Sequence, residues 1–287
     1  MRLGVVGGGI RVTKVFEQAG CPLHCTVAGR GPAILFIQGV GVHGDGWRPQ
    51  VDELTRHFTC ITFDNRGVGN SVPAGAPITV TQMAADALAA LDGLGIESAH
   101  VVGHSLGGLV ALELALTARE RVRSLALMCT FGSGRAAAPL TPRMMWLGLR
   151  SRVGTRKARR RGFLSIIMPP GMPADPDAAA AELESLFGHD LGDQLPVVGV
   201  QLAAMRHSDL TARLPELAGL PVLVISATHD PIAPPRVGRA LASAIPGAQY
   251  LEVKDASHGL PITHAAMVNA RLLEHVARVQ PSRAFNL

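Results

Sequence analysis

The sequence predicts an α/β fold, with a mostly parallel central sheet flanked by helices on both faces and one long insertion. Three observations carry this. Short apolar runs of strand length recur at 33–37, 58–63, 100–102, 122–129, 222–226 and 249–253, the texture of strands buried on both faces. Stretches with apolar residues at three- and four-residue spacing lie at 79–94, 106–118, 235–245 and 263–279, and strand followed by helix is the unit of a parallel sheet. With 47% hydrophobic and 17% charged residues over 287 positions, the chain can bury a sizeable core and is not a disordered polymer. Its 32 Gly and 20 Pro show no triplet period, which excludes collagen and favours a turn-rich fold.

In chain order, residues 1–20 come first and have a different texture. Gly7, Gly8 and Gly9 suggest a dinucleotide loop, but Val12 stands where the third glycine of G-x-G-x-x-G belongs. Arg11, Lys14 and Glu17 follow the glycines too soon for a good signal peptide. The segment is expected to be a flexible leader. Regular strand and helix alternation then defines a core over 21–131 and 209–287. Thr79 and Thr263 are expected helix starts, with Gly95 and Pro246 as stops. Between them the rhythm fails over 132–208, a stretch far longer than an ordinary βα loop. It carries Met144, Met145, Trp146, the Pro169-Pro170 breaker and an Ala-rich helix near 177–187, and is expected to be a helical lid.

Charge is concentrated in that insertion. The chain has a net charge of +5, yet 150–161 alone holds seven cations (Arg150, Arg152, Arg156, Lys157, Arg159, Arg160, Arg161) and no acid. The rest of the molecule is therefore slightly acidic, and the basicity does not describe the core. No aromatic platform is interleaved with the run, so no nucleic-acid partner is expected. A solvated lid face is the simplest reading, and an anionic surface is the partner the run would suit. No apolar run approaches a transmembrane length. Cys21, Cys25, Cys60 and Cys129 match neither metal nor disulfide spacing, so free buried thiols in a soluble, cytoplasmic protein are expected.

The strongest local signal is Gly103-His104-Ser105-Leu106-Gly107-Gly108, placed between an expected strand and an expected helix. A G-x-S-x-G elbow needs that context: the serine sits on a tight strand-to-helix turn, and flanking glycines leave room for it. A serine hydroxyl is a weak nucleophile and needs a base, which needs an orienting carboxylate. Asp230, after the 222–226 strand, and His258, after the 249–253 strand, stand where acid and base are wanted. Competing readings are Asp255 as the acid and His264 as the base. His104, beside the serine, reads as packing or polar support, and His229, before the acid, is expected to face away. No H-E-x-x-H or Walker loop occurs, and the chemistry calls for no cofactor and no metal.

With these pieces in place the chain resembles the α/β-hydrolase fold family over about residues 23–280. The resemblance rests on Phe36-Ile37-Gln38-Gly39, on Asp64-Asn65-Arg66-Gly67-Val68-Gly69-Asn70-Ser71, on the elbow, and on the Asp230 and His258 turns. It implies the α/β-hydrolase fold, Ser105 as nucleophile, His258 as general base and then acid, and Asp230 as the group that fixes the imidazole. It assigns the oxyanion hole to the backbone N–H groups of Val40 and Leu106. Where the family usually has His-Gly, this chain has Gln38-Gly39, so Gln38 either replaces the imidazole's support or faces the substrate. Asp64 and Arg66 match the family's structural turn. Trp47 reads as loop packing or pocket wall, and Met145 and Trp146 as pocket candidates with Gln38, Gly39 and His104.

The expected reaction is carboxylic ester hydrolysis through an acyl-enzyme, on a small-molecule ester or lactone with an apolar acyl or ring group. Lactone opening, hydrolysis of a carbon–carbon bond, acyl transfer to an alcohol or thiol, and a non-catalytic ligand receptor are the alternatives on the same fold.

Overall fold

In the computed structural model, which describes residues 3–6, 9–75, 77–137, 141–171 and 175–279, the strands join one nine-stranded sheet in the order β1-β2-β3-β5-β4-β6-β7-β8-β9. They are β1 (Leu3–Val6), β2 (Gly9–Gln18), β3 (Cys21–Ala28), β4 (Ala33–Ile37), β5 (Thr59–Phe63), β6 (Ala99–His104), β7 (Val122–Met128), β8 (Val222–Ala227) and β9 (Gln249–Val253). The run β5-β4-β6-β7-β8-β9 is parallel, and β1, β2 and β3 add an antiparallel edge. The helices are α1 (Arg48–Leu54), α2 (Val80–Gly93), α3 (Leu106–Thr117), α4 (Pro142–Arg150), α5 (Arg156–Ile167), α6 (Pro176–Phe187), α7 (Pro196–His207), α8 (Pro235–Ala244), α9 (Leu260–Thr263) and α10 (Ala265–Ala277).

Each parallel strand is apolar throughout because it buries both faces. On β4, Leu35 and Ile37 join a core with α2, α3 and α8, while Ile34 and Phe36 join a second core with α1 and α10. The two-residue period of the strand sends neighbours to opposite layers. α3 is buried along nearly its whole length and has no polar face. The expected cap holds at Thr79, whose hydroxyl accepts from the Gln82 N–H. Thr263 does not cap the last helix; it ends α9, and α10 starts after His264.

The expectation of a flexible leader is corrected for residues 9–18. They form β2, paired residue by residue with β3 from Arg11↔Ala28 to Gln18↔Cys21. The turn is the two residues Ala19 and Gly20, at φ +47° and +68°, and two positive values in a row match the twist of the strands they join. Arg66 clamps this hairpin from within: it forms a fully buried bidentate pair with Asp86 and donates to the carbonyls of Gln18 and Ala19. Residues 1, 2, 7 and 8 lie outside the described residues.

Between β7 and β8 the chain builds α4 to α7; the first three surround a third apolar cluster of Leu147, Leu164, Ile166, Ile167, Leu183, Leu186 and Phe187 that includes Val42 from the core, whereas Met205 of α7 joins the first core. The basic run lies mostly exposed on the outer face of this layer and pairs with acids of the same segment. Arg156 and Arg160 pair with Asp190, Arg156 also with Asp193, and Lys157 and Arg161 with Asp177. The Arg160 hydrogen bond holds the Asp190 carboxyl down at about 2 despite its burial. Arg159 donates to the carbonyls of Gly154 and Gly192, and Arg150 stacks over Trp146 at 4.7 Å. All four cysteines are buried free thiols. Among the described residues, no helix is long and apolar enough to cross a membrane.

Candidate active site

β6 ends at His104 and α3 begins at Leu106, so Ser105 alone makes the turn. It does so at φ +55° and ψ −121°, a backbone state that costs a non-glycine residue of order 1–3 kcal/mol. The surroundings compel it. The Ser105 N–H donates to the Met128 carbonyl at 3.0 Å, and its carbonyl accepts from the Thr130 hydroxyl at 2.7 Å and the Gly108 N–H at 3.0 Å. A Cβ at Gly107 would stand 2.1 Å from the Ile37 carbonyl oxygen, so α3 can start this close to β4 only with glycine there. Ser105 itself is 6% exposed.

Asp230 follows β8 and His258 follows β9, both buried. His258 Nδ1 is 2.8 Å from Asp230 Oδ2. The other carboxylate oxygen accepts from the N–H groups of Ile232 and Ala233, each at 2.8 Å. Burial alone would raise the Asp230 carboxyl. The His258 charge and hydrogen bond, joined by those two amides, outweigh it and hold the group below its ordinary value. It is an ionised acceptor aimed at one ring nitrogen. The competing groups lie elsewhere: Asp255 faces His229 at 3.7 Å on the surface, and His264 Nδ1 meets the Thr263 hydroxyl.

His104 joins the elbow to the histidine loop. Its ring packs on that of His258 with centroids 4.8 Å apart, and its Nε2 is 2.9 Å from the His258 carbonyl oxygen. Burial, with the nearby His258 charge, lowers its pKa to about 3, so it stays neutral and serves as a donor to that carbonyl. Trp47 backs it edge-on at 6.4 Å.

The loop after β4 lies against the elbow. A Cβ placed on Gly39 would come within 3.2 Å of the Ser105 Cβ, which brings the Val40 backbone beside Ser105. Leu106 is the first residue of α3, so its N–H is one of the groups a helix leaves free at its start.

Two open readings are decided and one pocket expectation is corrected. Gln38 does not face outward: its Oε1 accepts from its own Gly39 N–H at 3.0 Å, and it is 4% exposed. It supports the loop, as the replacement of an imidazole would. Trp47 is fully buried against Phe36 and is packing, not pocket wall. Met145 and Trp146 are 61% and 53% exposed, because α4 turns Leu147 inward and these two to the outside. Asp64 and Arg66 are structural, as expected: Asp64 accepts from the Gly44 and Asn70 N–H groups.

Sequence reading missed Cys129. It follows β7 directly, at φ +48°, and is fully buried close to the Asp230 carboxylate. Burial and the Asp230 charge push its thiol well above the ordinary value, so it keeps its proton. No sequence signal separates such a cysteine from ordinary core. With His104 and His258 it forms a trio whose donor atoms lie within 4.8 Å of one another. That trio could hold a soft cation, but one nitrogen of each ring is engaged by Asp230 or a carbonyl.

The chain belongs to the α/β-hydrolase fold family: the family model matches residues 32–162 and 143–265. It is a hydrolase of this fold. A protein of Azorhizobium caulinodans carrying the name carbamate hydrolase RutD is 31% identical over 255 residues, 88% of this chain and 93% of its own. One of Mycobacterium tuberculosis carrying the name non-heme bromoperoxidase BpoC is 34% identical over 271 residues, 88% of this chain and 96% of its own. Among solved structures, the enol-lactonase of Burkholderia xenovorans LB400 superimposes with a TM-score of 0.77 at 29% identity, covering 92% of this chain and all of that one.

Proposed function

We propose that this protein is a serine hydrolase that cleaves a carboxylic ester through an acyl-enzyme on Ser105, His258 and Asp230. The observation that carries the reading is the 2.8 Å hydrogen bond from His258 to a buried, ionised Asp230, with the His258 ring packed at 4.8 Å on His104, the neighbour of a serine held at positive φ. Asp230 fixes the imidazole with its proton on Nδ1, which leaves Nε2 free to act as base. Ser105 Oγ attacks the ester carbonyl while His258 Nε2 takes the hydroxyl proton. The negative charge that forms on the carbonyl oxygen is met by the N–H groups of Val40 and Leu106. His258 then gives the proton to the departing alkoxide. Water attacks the acyl-serine by the same route in reverse, releasing the acid and restoring Ser105.

The segment with α4 to α7 acts as the lid. In support, it is bonded to the catalytic loops at the Gly259 N–H, the Ser257 hydroxyl and the His43 N–H, through the carbonyls of Ile167, Ile166 and Phe187. Its apolar inner cluster suits an apolar acyl or ring group. The pairing of the basic run with Asp177, Asp190 and Asp193 favours an internal role over an anionic partner.

Lactone opening is the second reading, favoured by the likeness to the enol-lactonase over nearly the whole chain. The test is fluorophosphonate labelling with p-nitrophenyl esters of increasing length, alongside a lactone series. Native protein is expected to label and turn over, and Ser105→Ala to do neither. Equal behaviour of the two proteins would refute the serine mechanism, and a higher kcat/KM for lactones would decide for the second reading.

A further inference from the structure

The loop that carries Val40 is fastened from outside the sheet. Gly41, the next residue, has both of its backbone polar groups met by side chains from the segment between β7 and β8. Its N–H donates to Gln201 Oε1 at 2.9 Å, and its carbonyl oxygen is 3.1 Å from His189 Nε2. Gln201 lies on α7 and is fully buried. Its other end is also paired, since Nε2 donates to the Arg66 carbonyl at 3.0 Å. A buried amide is costly unless both ends are bonded. Here one end holds the loop after β4, and the other rests on a turn that the Arg66–Asp86 pair makes rigid.

The peptide plane between Val40 and Gly41 contains the N–H that Gln201 accepts. Fixing that plane leaves the Val40 N–H little freedom, because only the two Val40 dihedrals separate the planes. We infer that Gln201 is a positioning residue for the oxyanion hole: it holds the peptide joining Val40 and Gly41, so the aim of the Val40 N–H depends on α7 being seated. The inference rests on the serine-hydrolase reading and adds to it. The inserted helices then cover the site and also complete it.

Deleting an oxyanion donor outright costs about 10²–10³ in rate, so misaiming one is expected to cost about 10–30-fold. The first variant is Gln201→Met, similar in length and unable to accept or donate a hydrogen bond to these partners. The measurements are kcat and KM for p-nitrophenyl butyrate and Ki for an alkyl trifluoromethyl ketone. Ser105 Oγ adds to the ketone carbon, His258 takes the serine proton, and the former carbonyl oxygen becomes an oxyanion in the hole. The expected result is a fall in kcat and a rise in Ki, both about 10–30-fold, with KM within about twofold. A Ki that is unchanged, or that rises by the same factor as KM, overturns the proposal.

Gln201→Glu keeps the test decisive if the methionine variant does not fold. Protonated, it reproduces both bonds; ionised, it sets an oxygen against the Arg66 carbonyl. Burial favours the protonated form, so the ratio of its Ki to that of native protein should climb from about 1 at pH 5.5 to about 10 at pH 8.5. A ratio flat across that range overturns the proposal. The control separates the two claims: turnover by Ser105→Ala sinks the nucleophile reading. Serine-dependent turnover with a native-like Gln201→Met sinks only the positioning role.

Discussion

Two histidines beneath the sheet set how this fold answers acid. His100 on β6 and His275 on α10 are 1% and 4% exposed. Burial, aided by the charges of Arg123 and His275, lowers His100 from 6.5 to about 4. For His275 burial, partly offset by a backbone hydrogen bond at Leu125 and reinforced by Arg278, gives the same change. The unfolded chain takes up a proton at each site below about pH 6.5, while the native protein refuses it until about pH 4. In that window the unfolded state binds more protons, so stability falls as pH falls. At about 1.4 kcal/mol per pH unit, each histidine is expected to cost about 2.5 kcal/mol at pH 4.5 relative to pH 7, and the two about 5 kcal/mol. That is a large part of a net stability that is ordinarily 5–15 kcal/mol. Urea denaturation at pH 7 and pH 4.5, on native protein and His275→Leu, reads the effect. The variant gives up the Leu125 bond, about 1 kcal/mol at either pH, and its loss on acidification should be smaller than the native loss by about 2.5 kcal/mol. Carboxylates titrate in both proteins and cancel in the comparison. An equal loss in both would refute the reasoning, because it would mean that His275 takes up its proton as readily in the native protein as in the unfolded chain.

Other expectations concern the site and its frame. Asp230→Asn should lower kcat by about 10³–10⁴-fold with KM little changed; Cys129→Asp in that background should restore at least tenfold, since the Cys129 sulfur lies within 4.8 Å of a His258 ring nitrogen. Stopped-flow acylation reads both, and a double variant no faster than the single one would count against the geometry. Gly107→Ala forces a Cβ to 2.1 Å from the Ile37 carbonyl and should cost more than about 3 kcal/mol, seen as lost soluble yield or a lower Tm. Arg66→Met strands Asp86 in the core and should cost about 3–5 kcal/mol in urea, most of it recovered when Asp86→Leu is added.

What was legible in the sequence was what is local. The turn at Ser105 could be read because strand, glycines and helix lie within one short stretch, and their sterics admit few arrangements. Asp230 and His258 could be read because parallel strands deliver their trailing loops to one edge of the sheet. The hairpin of β2 and β3 was hidden by Gly7, Gly8 and Gly9, although Val12, Val15 and Phe16 lie close by and Ala19-Gly20 makes a two-residue turn. Side-chain direction was not legible. Trp47 and Gln38 point where the neighbouring chain leaves room, and the phase of α4, which exposes Met145 and Trp146, is set by what Leu147 packs against. Cys129 and Gln201 carry no pattern at all; only the folded chain shows what their polar atoms meet.

The position of the inserted helices also bears on how the molecule forms. Ser105 and Cys129 precede them in the chain, while Asp230 and His258 follow. β7 and β8 are neighbours in the sheet, but their pairing closes a loop of roughly ninety residues, and such closures come at an entropic cost that local pairings avoid. The β2 and β3 hairpin, by contrast, closes over two residues. A refolding chain should therefore gain its antiparallel edge early and its hydrolase activity late, in a phase timed by that closure. Shortening the insertion would then change the rate at which active enzyme appears, even where the final activity is the same.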